Sequence, residues 1–179
     1  METKNTEFKS PVYNVIPVPV EKIRANTYNP NHVAPPEMRL LYESIKCDGY
    51  TMPIVCYYVS AEESEDGEDY YEIVDGYHRD SIMLTHKDIY EREGGMAPVV
   101  VIDKPLEERM ASTIRHNRAR GEHSIDLMVN IVAELTQAGM SDAWIMKNIG
   151  MDPEELLRLK QLSGLQELFK DKDFSRSWV

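Results

Sequence analysis

The order of apolar and polar positions divides the chain into a first part that alternates strands with helices and a last part that is helical throughout. Strands are predicted at 12–20, 51–59, 72–75 and 97–102, and helices at 35–48, 77–89 and 105–118. From Ser124 onward three helices follow, separated by turns at Gly139 and Gly150. This pattern predicts an α+β domain followed by a region of helix-turn-helix type. A small helical bundle that only packs on the first domain fits the same spacing.

Individual proline, glycine and apolar residues predict further details of these strands and helices. Pro17 and Pro19 lack a donor N–H, so the first strand is expected at a sheet edge or in irregular pairing. The Asp66-Gly67 turn inside the acidic run 61–69 predicts an antiparallel hairpin between the strands on either side. The buried stripe of the helix 35–48 is predicted to consist of Leu40, Leu41, Tyr42 and Ile45. We expect a tail over 1–11, the α+β domain over 12–121, the helical region over 122–170 and a second tail over 171–179.

Composition places the chain among water-soluble globular proteins. It has 179 residues, of which 42% are hydrophobic and 28% charged. No apolar run approaches the roughly 20 residues that span a bilayer, and the amino terminus lacks the apolar core of a secretion signal. We therefore expect a cytoplasmic protein without a membrane partner. Cys47 and Cys56 lack the spacing of a zinc or redox pair and are expected to be small core residues.

The net charge limits the class of partner. A formal charge of −11 repels nucleic-acid phosphates on average, whereas DNA binding draws much of its affinity from lysine and arginine. The one dense basic stretch contains Arg115, His116, Arg118, Arg120 and His123. These residues either form a local DNA patch or face a ligand pocket. The charge favours the pocket for Arg120.

The segment 71–84 carries the clearest candidate chemistry. It is predicted as strand, Gly76 and helix, and the first turn of a helix offers unpaired N–H groups and a partial positive charge to an anion. Arg79 can add a two-pronged contact to that anion, and His78 can act as acid, base or donor. An ordinary turn with Arg79 in solvent fits the same residues.

Four boxes in this sequence resemble those of the ParB and sulfiredoxin superfamily. The boxes are 18–23 with Asn29-Pro30, the helix end and Pro-Ile strand at 44–54, Asp75-Gly76-Tyr77-His78-Arg79 as a Gly-x-x-Arg box, and His116-Asn117-Arg118-Ala119-Arg120. The last corresponds to a Glu-Asn-x-x-Arg motif in which His116 replaces the glutamate. The similarity spans roughly residues 12 to 165, and the chain looks most like the IbrB-type relatives, described as prophage transcription coactivators.

This resemblance implies a small mixed sheet with helices and a nucleotide site. It assigns Gly76, Tyr77, His78 and Arg79 to the phosphates, with Tyr77 in a structural or ligand-packing role. It assigns Asn117 and Arg120 to phosphate or metal-linked positioning, and Gly49, Thr51 and Pro53 to the base side. The implied ligand is CTP or ATP with Mg²⁺, and no metal ligands are identified.

Departures from the family pattern reduce the number of family activities that we expect of this chain. Tyr77 stands where sulfiredoxin has its catalytic cysteine, so sulfinic-acid repair is not expected. The replacement at His116 argues against CTP hydrolysis. The third helix of the helical region begins with acids, Asp152, Glu154 and Glu155, where DNA readers need donors.

Two classes of function remain open at this point. One is a nucleotide-binding regulatory module that associates with DNA or a partner protein through its C-terminal helices, in transcription or partition, and that can form a homodimer. The other is a phosphotransferase or nucleotidase in which Asp75, His78 or Glu72 supplies acid-base chemistry. A domain that keeps the fold and binds no ligand is a third reading.

Overall fold

The chain forms two compact units, Met1–Pro105 and Leu106–Val179. The computed structural model describes residues 9–26, 28, 35–119 and 125–169. Its elements are β1 (Ile16–Pro19), β2 (Ile23–Arg24), α1 (Pro35–Asp48), β3 (Ile54–Val59), β4 (Tyr70–Asp75), α2 (Tyr77–Thr85), α3 (Lys87–Arg92), β5 (Met96–Val101), α4 (Leu106–Ala119), α5 (Ile125–Gln137), α6 (Asp142–Ile149) and α7 (Pro153–Phe169). The predicted tail 171–179 and most of the tail 1–11 lie outside the described residues.

A five-stranded mixed sheet forms the centre of the first unit. Its strand order is β1-β5-β3-β4-β2, with β3 antiparallel to β4 and parallel to β5. The predicted hairpin around Asp66-Gly67 is confirmed. β1 lies at an edge and pairs antiparallel with β5, as its prolines require. The other edge is β2, which was not predicted because two residues are too short to show an alternating pattern.

The helix predicted over 77–89 is wrong as a single element, because it ends at Thr85 and a new helix starts at Lys87. His86 between them is extended, with φ −118° and ψ 100°. The Thr85 hydroxyl donates to the Ser81 carbonyl at 2.6 Å, a local bond that competes with helix continuation. The His86 ring stacks on Tyr42 of α1 with centroids 4.1 Å apart, which supports the break from the neighbouring helix.

The core of the first unit lies between this sheet and its helices. The side chains of Ile54, Ile73, Ile82, Met83 and Ile89 are almost fully buried there. Two sequence predictions are corrected. Leu40 is 72% exposed, and Met38 of α1 packs against the core with Leu41, Tyr42 and Ile45. Cys56 is buried as predicted, whereas Cys47 is exposed.

The second unit is helical, as predicted. α5 packs on α7 and α4 packs on α6, around buried Ile131, Leu135, Ile145 and Leu156. The Ser141 hydroxyl caps α6 by accepting the Trp144 N–H at 3.2 Å. Gly150, with φ 76°, ends that helix in the left-handed conformation. None of the helices within the described ranges has the length and apolar character needed to cross a membrane.

Candidate functional site

The candidate site is built around the turn from β4 into α2. Gly76 joins them with φ 107° and ψ 18°, a conformation that glycine adopts without the steric cost of a Cβ. Its carbonyl accepts the N–H of Arg79 at 2.9 Å and of Asp80 at 3.1 Å, which starts the helix. Gly76 stands at the N-cap of α2 and has no side chain with which to accept an N–H of the first turn.

Arg79 lies directly over this helix start. Its Nη2 is 3.2 Å from Oδ2 of Asp75, and the two side chains are only 11% and 7% exposed. A Cβ at Gly76 would come within 2.8 Å of the same Nη2, so the glycine makes room for the guanidinium. The turn thus holds a largely buried cation against Gly76, paired with the last carboxylate of β4.

The loop after α1 reaches the same helix. Gly49, with φ 76°, ends α1 as its N–H bonds to the Ile45 carbonyl at 2.9 Å. The next residue, Tyr50, donates its hydroxyl to the Arg79 carbonyl at 2.9 Å. Burial raises the pKa of the Tyr50 phenol, and the nearby Asp80 carboxylate adds to the effect. The phenol therefore stays protonated and remains a donor.

A groove of about 520 Å³ opens beside this loop. Gly49 and Tyr50 line it together with Pro17 of β1 and Pro98 of β5, and two carboxylates stand at its rim, Asp48 and Glu93. Thr51 is exposed and Pro53 is half-buried on the way into β3. The structure therefore brings two of the predicted groups together, the 49–53 loop and the Gly76–Arg79 turn, through the Tyr50 hydrogen bond.

Tyr77 and His78 occupy the first two positions of α2. Both are half-buried, and their rings meet edge to face with centroids 5.6 Å apart. Tyr77 also packs against the apolar core of the first unit. A packing function is therefore present in the structure, and its contact with a ligand stays a prediction, as do the acid-base functions of Asp75 and His78.

The remaining predicted site residues belong to the second unit. Asn117 lies in α4 and its side chain is outside what the structure describes, and Arg120 lies outside the described residues altogether. Their place in the site stays a prediction. Arg115 of the basic stretch is engaged within its own unit, because it donates to the Asn148 carbonyl at 2.8 Å and to the Ser112 hydroxyl at 2.9 Å.

Sequence reasoning missed Asp80. Its side chain is buried inside the first unit, with the residue only 4% exposed, and burial raises its pKa to about 7. A signal was available, since Asp80 stands three positions before the buried Met83 and so shares its helix face. Among the described residues, no three His, Cys, Asp or Glu side chains come close enough to hold a metal ion.

A mixed sheet with a Gly-x-x-Arg helix start, followed by a helical unit, is a ParB-like fold with a C-terminal region similar to the IbrB-like HTH domain. The family described as IbrB-like C-terminal HTH domain matches residues 123–171. ParB from Caulobacter crescentus complexed to the centromeric parS site has the same fold, with a TM-score of 0.51 and 15% identity over 89% of this chain and 80% of that one. The complex of that ParB with CTP-γ-S gives a TM-score of 0.45 and 19% identity over 87% and 83%.

One relative of much higher sequence identity identifies the family of this chain. The uncharacterized protein YbdM of Escherichia coli (strain K12) is 46% identical over 171 residues, which cover 96% of this chain and 78% of YbdM. The chain belongs to the same family as YbdM.

Proposed function

We propose that this chain is a ParB-like regulatory protein that binds the phosphates of a nucleoside triphosphate at the start of α2. The observation that carries the proposal is the position of Arg79, whose guanidinium is held against Gly76 at the N-terminal end of α2 and is paired with Asp75. Phosphate oxygens accept hydrogen bonds from the backbone N–H groups of a helix start and from a guanidinium, which can donate two N–H bonds at once.

Binding would proceed by an exchange of partners at Arg79. The guanidinium is now paired with Asp75, and a phosphate placed over the α2 start would compete for the same Nη2. The nucleoside would extend along the 49–53 loop, where the groove beside Tyr50 opens. Mg²⁺ would be bound mainly through the phosphates, since the described residues offer no ready group of three ligands. CTP and ATP both fit this description, and the resemblance to the ParB and sulfiredoxin superfamily supports either.

The second unit is proposed to carry the regulatory contact. ParB of Caulobacter crescentus is known complexed to the centromeric parS site, and residues 123–171 of this chain match an IbrB-like C-terminal HTH domain, which supports DNA association through this unit. Residues 1–105 contain 10 Lys+Arg against 19 Asp+Glu, whereas residues 106–179 contain 10 against 12, a net charge of −9 against −2. Electrostatic repulsion of DNA is therefore concentrated in the first unit, and the second is nearly balanced.

The first turn of α7 carries acidic side chains, which disfavour contact with DNA phosphates. Asp152 caps the helix by accepting the Glu155 N–H at 2.8 Å, Glu154 is exposed beside it, and Lys160 is paired with Asp142. These groups offer DNA few free donors at the first turn of the helix. We therefore propose that the partner is either DNA contacted elsewhere on the unit or a protein that is itself bound to DNA.

A panel of nucleotides tests the phosphate site directly. Thermal unfolding with CTP, ATP, GTP and UTP, each with Mg²⁺, should show a rise in Tm for at least one, because a ligand that binds only the native state stabilises it by mass action. Inorganic triphosphate separates phosphate binding from base recognition. No shift with any of these ligands at millimolar concentration would refute the proposal.

A phosphotransferase or nucleotidase is the second candidate, favoured by the presence of Asp75 and His78 beside the helix start. In the present structure the Asp75 carboxylate is engaged with Arg79 and would have to leave it to act as a base. Phosphate release over hours with each nucleotide and Mg²⁺ distinguishes the candidates, because the regulatory protein requires binding and the enzyme requires turnover.

A further inference from the structure

Asp80 is a buried carboxyl group that the proposed binding of phosphate does not use. It is 96% buried, since only 4% of its surface is exposed, and its Oδ1 has no hydrogen-bond partner among the described residues. It also forms no ion pair with them. A buried charge without a partner is costly, so the neutral form of the group is favoured.

Within the described ranges, burial is the cause of the raised Asp80 pKa, and the titratable groups around Asp80 do not offset it. From the loop after α1 it faces the Tyr50 phenol, and from β3 the Cys56 thiol; burial raises the pKa of both groups, and the Asp80 carboxylate raises it further. On its own helix, Arg79 is committed to Asp75. At the end of α3, Arg92 and Glu93 bond to each other.

The charged groups of the turn before β2 are also engaged elsewhere. Glu21 accepts the Tyr90 hydroxyl at 2.7 Å, and Lys22 pairs with Asp69 at 2.8 Å. No cation of these neighbouring elements is thus available to Asp80. This arrangement accounts for a carboxyl pKa of about 7.

We propose that Asp80 links proton uptake to the binding of phosphate at the start of α2, so that its neutral form belongs to the ligand-bound state. This inference rests on the proposed nucleotide site. Asp80 directly follows Arg79, and its own N–H bonds to the Gly76 carbonyl at 3.1 Å, so the carboxyl lies within one helical turn of the phosphate position.

Two electrostatic effects determine whether nucleotide affinity rises or falls with pH. Phosphates at the helix start add negative charge close to a buried carboxylate, which favours the protonated form of Asp80. When Arg79 turns from Asp75 to the phosphate, a second carboxylate loses its cation in the same region. Nucleotide affinity should therefore fall as the pH rises through about 7. If binding raises the pKa of Asp80 by one unit, the loss of affinity is about tenfold.

Calorimetric titration with CTP and Mg²⁺ tests this inference. At pH 7.0, titrations in two buffers of different ionisation enthalpy give the number of protons taken up on binding. We expect the native protein to take up more protons than Asp80→Asn, and its Kd to rise about fivefold more than that of the variant between pH 6 and pH 8 if binding raises the pKa of Asp80 by about one unit. The titration of the nucleotide phosphates is common to both proteins and cancels. Asp88→Asn, at an exposed aspartate of α3, is the matched control and should behave as the native protein does.

The outcomes separate the two proposals. Equal proton uptake in the native protein and Asp80→Asn would refute the linkage while leaving the nucleotide site intact. Absence of binding to CTP, ATP or inorganic triphosphate in every variant would remove the proposed function and the linkage with it. If Asp80→Asn does not fold, Asp80→Ala, which adds no volume to the buried site and also lacks the titrating group, should give the same loss of proton uptake.

Discussion

The hydroxyl of Tyr50 donates a hydrogen bond to the carbonyl of Arg79, 29 positions further along the chain, at a distance of 2.9 Å. This bond connects the end of α1 to the first turn of α2. It therefore connects the two segments that the resemblance to the ParB and sulfiredoxin superfamily would assign to opposite ends of a nucleotide, the 49–53 loop and the turn from Gly76 to Arg79.

Tyr50→Phe should remove this connection while keeping the ring in place. We expect a loss of roughly 0.5–1.5 kcal/mol in the free energy of unfolding, the net value of one hydrogen bond. Binding of inorganic triphosphate should change little, whereas the extra affinity that the nucleoside contributes should decrease. Titration calorimetry with both ligands measures this difference. An equal loss for the two would show that Tyr50 has only a structural role. Tyr58→Phe, on the exposed part of β3, is a suitable control.

Arg79→Ala should affect both binding and stability. Loss of the guanidinium should weaken nucleotide binding by about 1–3 kcal/mol, the usual scale for a charge-assisted hydrogen bond. The substitution also leaves the buried Asp75 carboxylate without this partner, and removal of one member of a buried ion pair costs about 3–5 kcal/mol. Urea unfolding and nucleotide titration measure the two effects separately.

A double variant separates these effects further. Adding Asp75→Asn to Arg79→Ala should restore most of the lost stability, because the buried carboxylate that has lost its guanidinium partner is removed, and should leave nucleotide binding weak. Arg39→Ala, at an exposed arginine of α1, should change neither quantity. Full nucleotide affinity in Arg79→Ala would remove this residue from the site.

Some of these relationships could be predicted from the sequence and others could not. The sequence predicts three features correctly: the edge position of β1, the hairpin turn and the turn from Gly76 to Arg79. Each depends on residues that are close together in the chain, where proline and glycine determine the backbone conformation directly. The apolar spacing of α1 leaves its buried face ambiguous, which is why Leu40 was wrongly placed in the core. The Tyr50 bond and the burial of Asp80 depend on which elements pack together, information that local patterns do not contain.

Gly76→Ala should disturb the turn from Gly76 to Arg79 through two physical causes. At φ 107° a Cβ adds steric strain on the order of 1–3 kcal/mol, and it would lie 2.8 Å from the Arg79 Nη2. The guanidinium would have to move, which breaks its contact with Asp75. We expect lower stability and weaker triphosphate binding together. Gly67→Ala, at φ 74° with nothing near its Cβ, provides the strain without the contact, so only Gly76→Ala should reduce binding.

Arg115→Ala tests whether the basic stretch contacts DNA. Because Arg115 bonds to the Asn148 carbonyl and to Ser112, we expect a loss of roughly 1.5–3 kcal/mol in stability and no change in the salt dependence of any DNA binding. Arg158 is exposed on α7 and is the useful comparison. If α7 contacts DNA phosphates, Arg158→Ala should reduce the slope of log K against log salt by about one. A reduced slope in Arg115→Ala instead would reassign that residue to DNA.

The last prediction concerns stability in the absence of any ligand. The Asp80 carboxyl has a pKa of about 7 in the folded chain against 3.8 for the ordinary group, so the folded state binds the proton more tightly than the unfolded state does. Its contribution to stability is therefore fully present below pH 4 and is lost as the pH rises to about 7. The full difference amounts to on the order of 4 kcal/mol, which is an upper limit because water can enter around the ionised form.

Comparison with Asp80→Asn isolates this effect from other carboxylates. Asp66 works in the opposite direction, because hydrogen bonds from Ser64, the Glu68 N–H and Arg24 lower its pKa to about 2, and its contribution is lost as the pH falls. That contribution is common to both proteins. Urea unfolding from pH 4 to pH 8 measures the free energies of both proteins. The native protein should lose stability steadily relative to Asp80→Asn as the pH rises to about 7, and the difference between them should be constant above pH 7. Parallel curves would show that the Asp80 carboxyl ionises with an ordinary pKa in the folded chain, and the charge linkage at the phosphate turn would lose its physical basis.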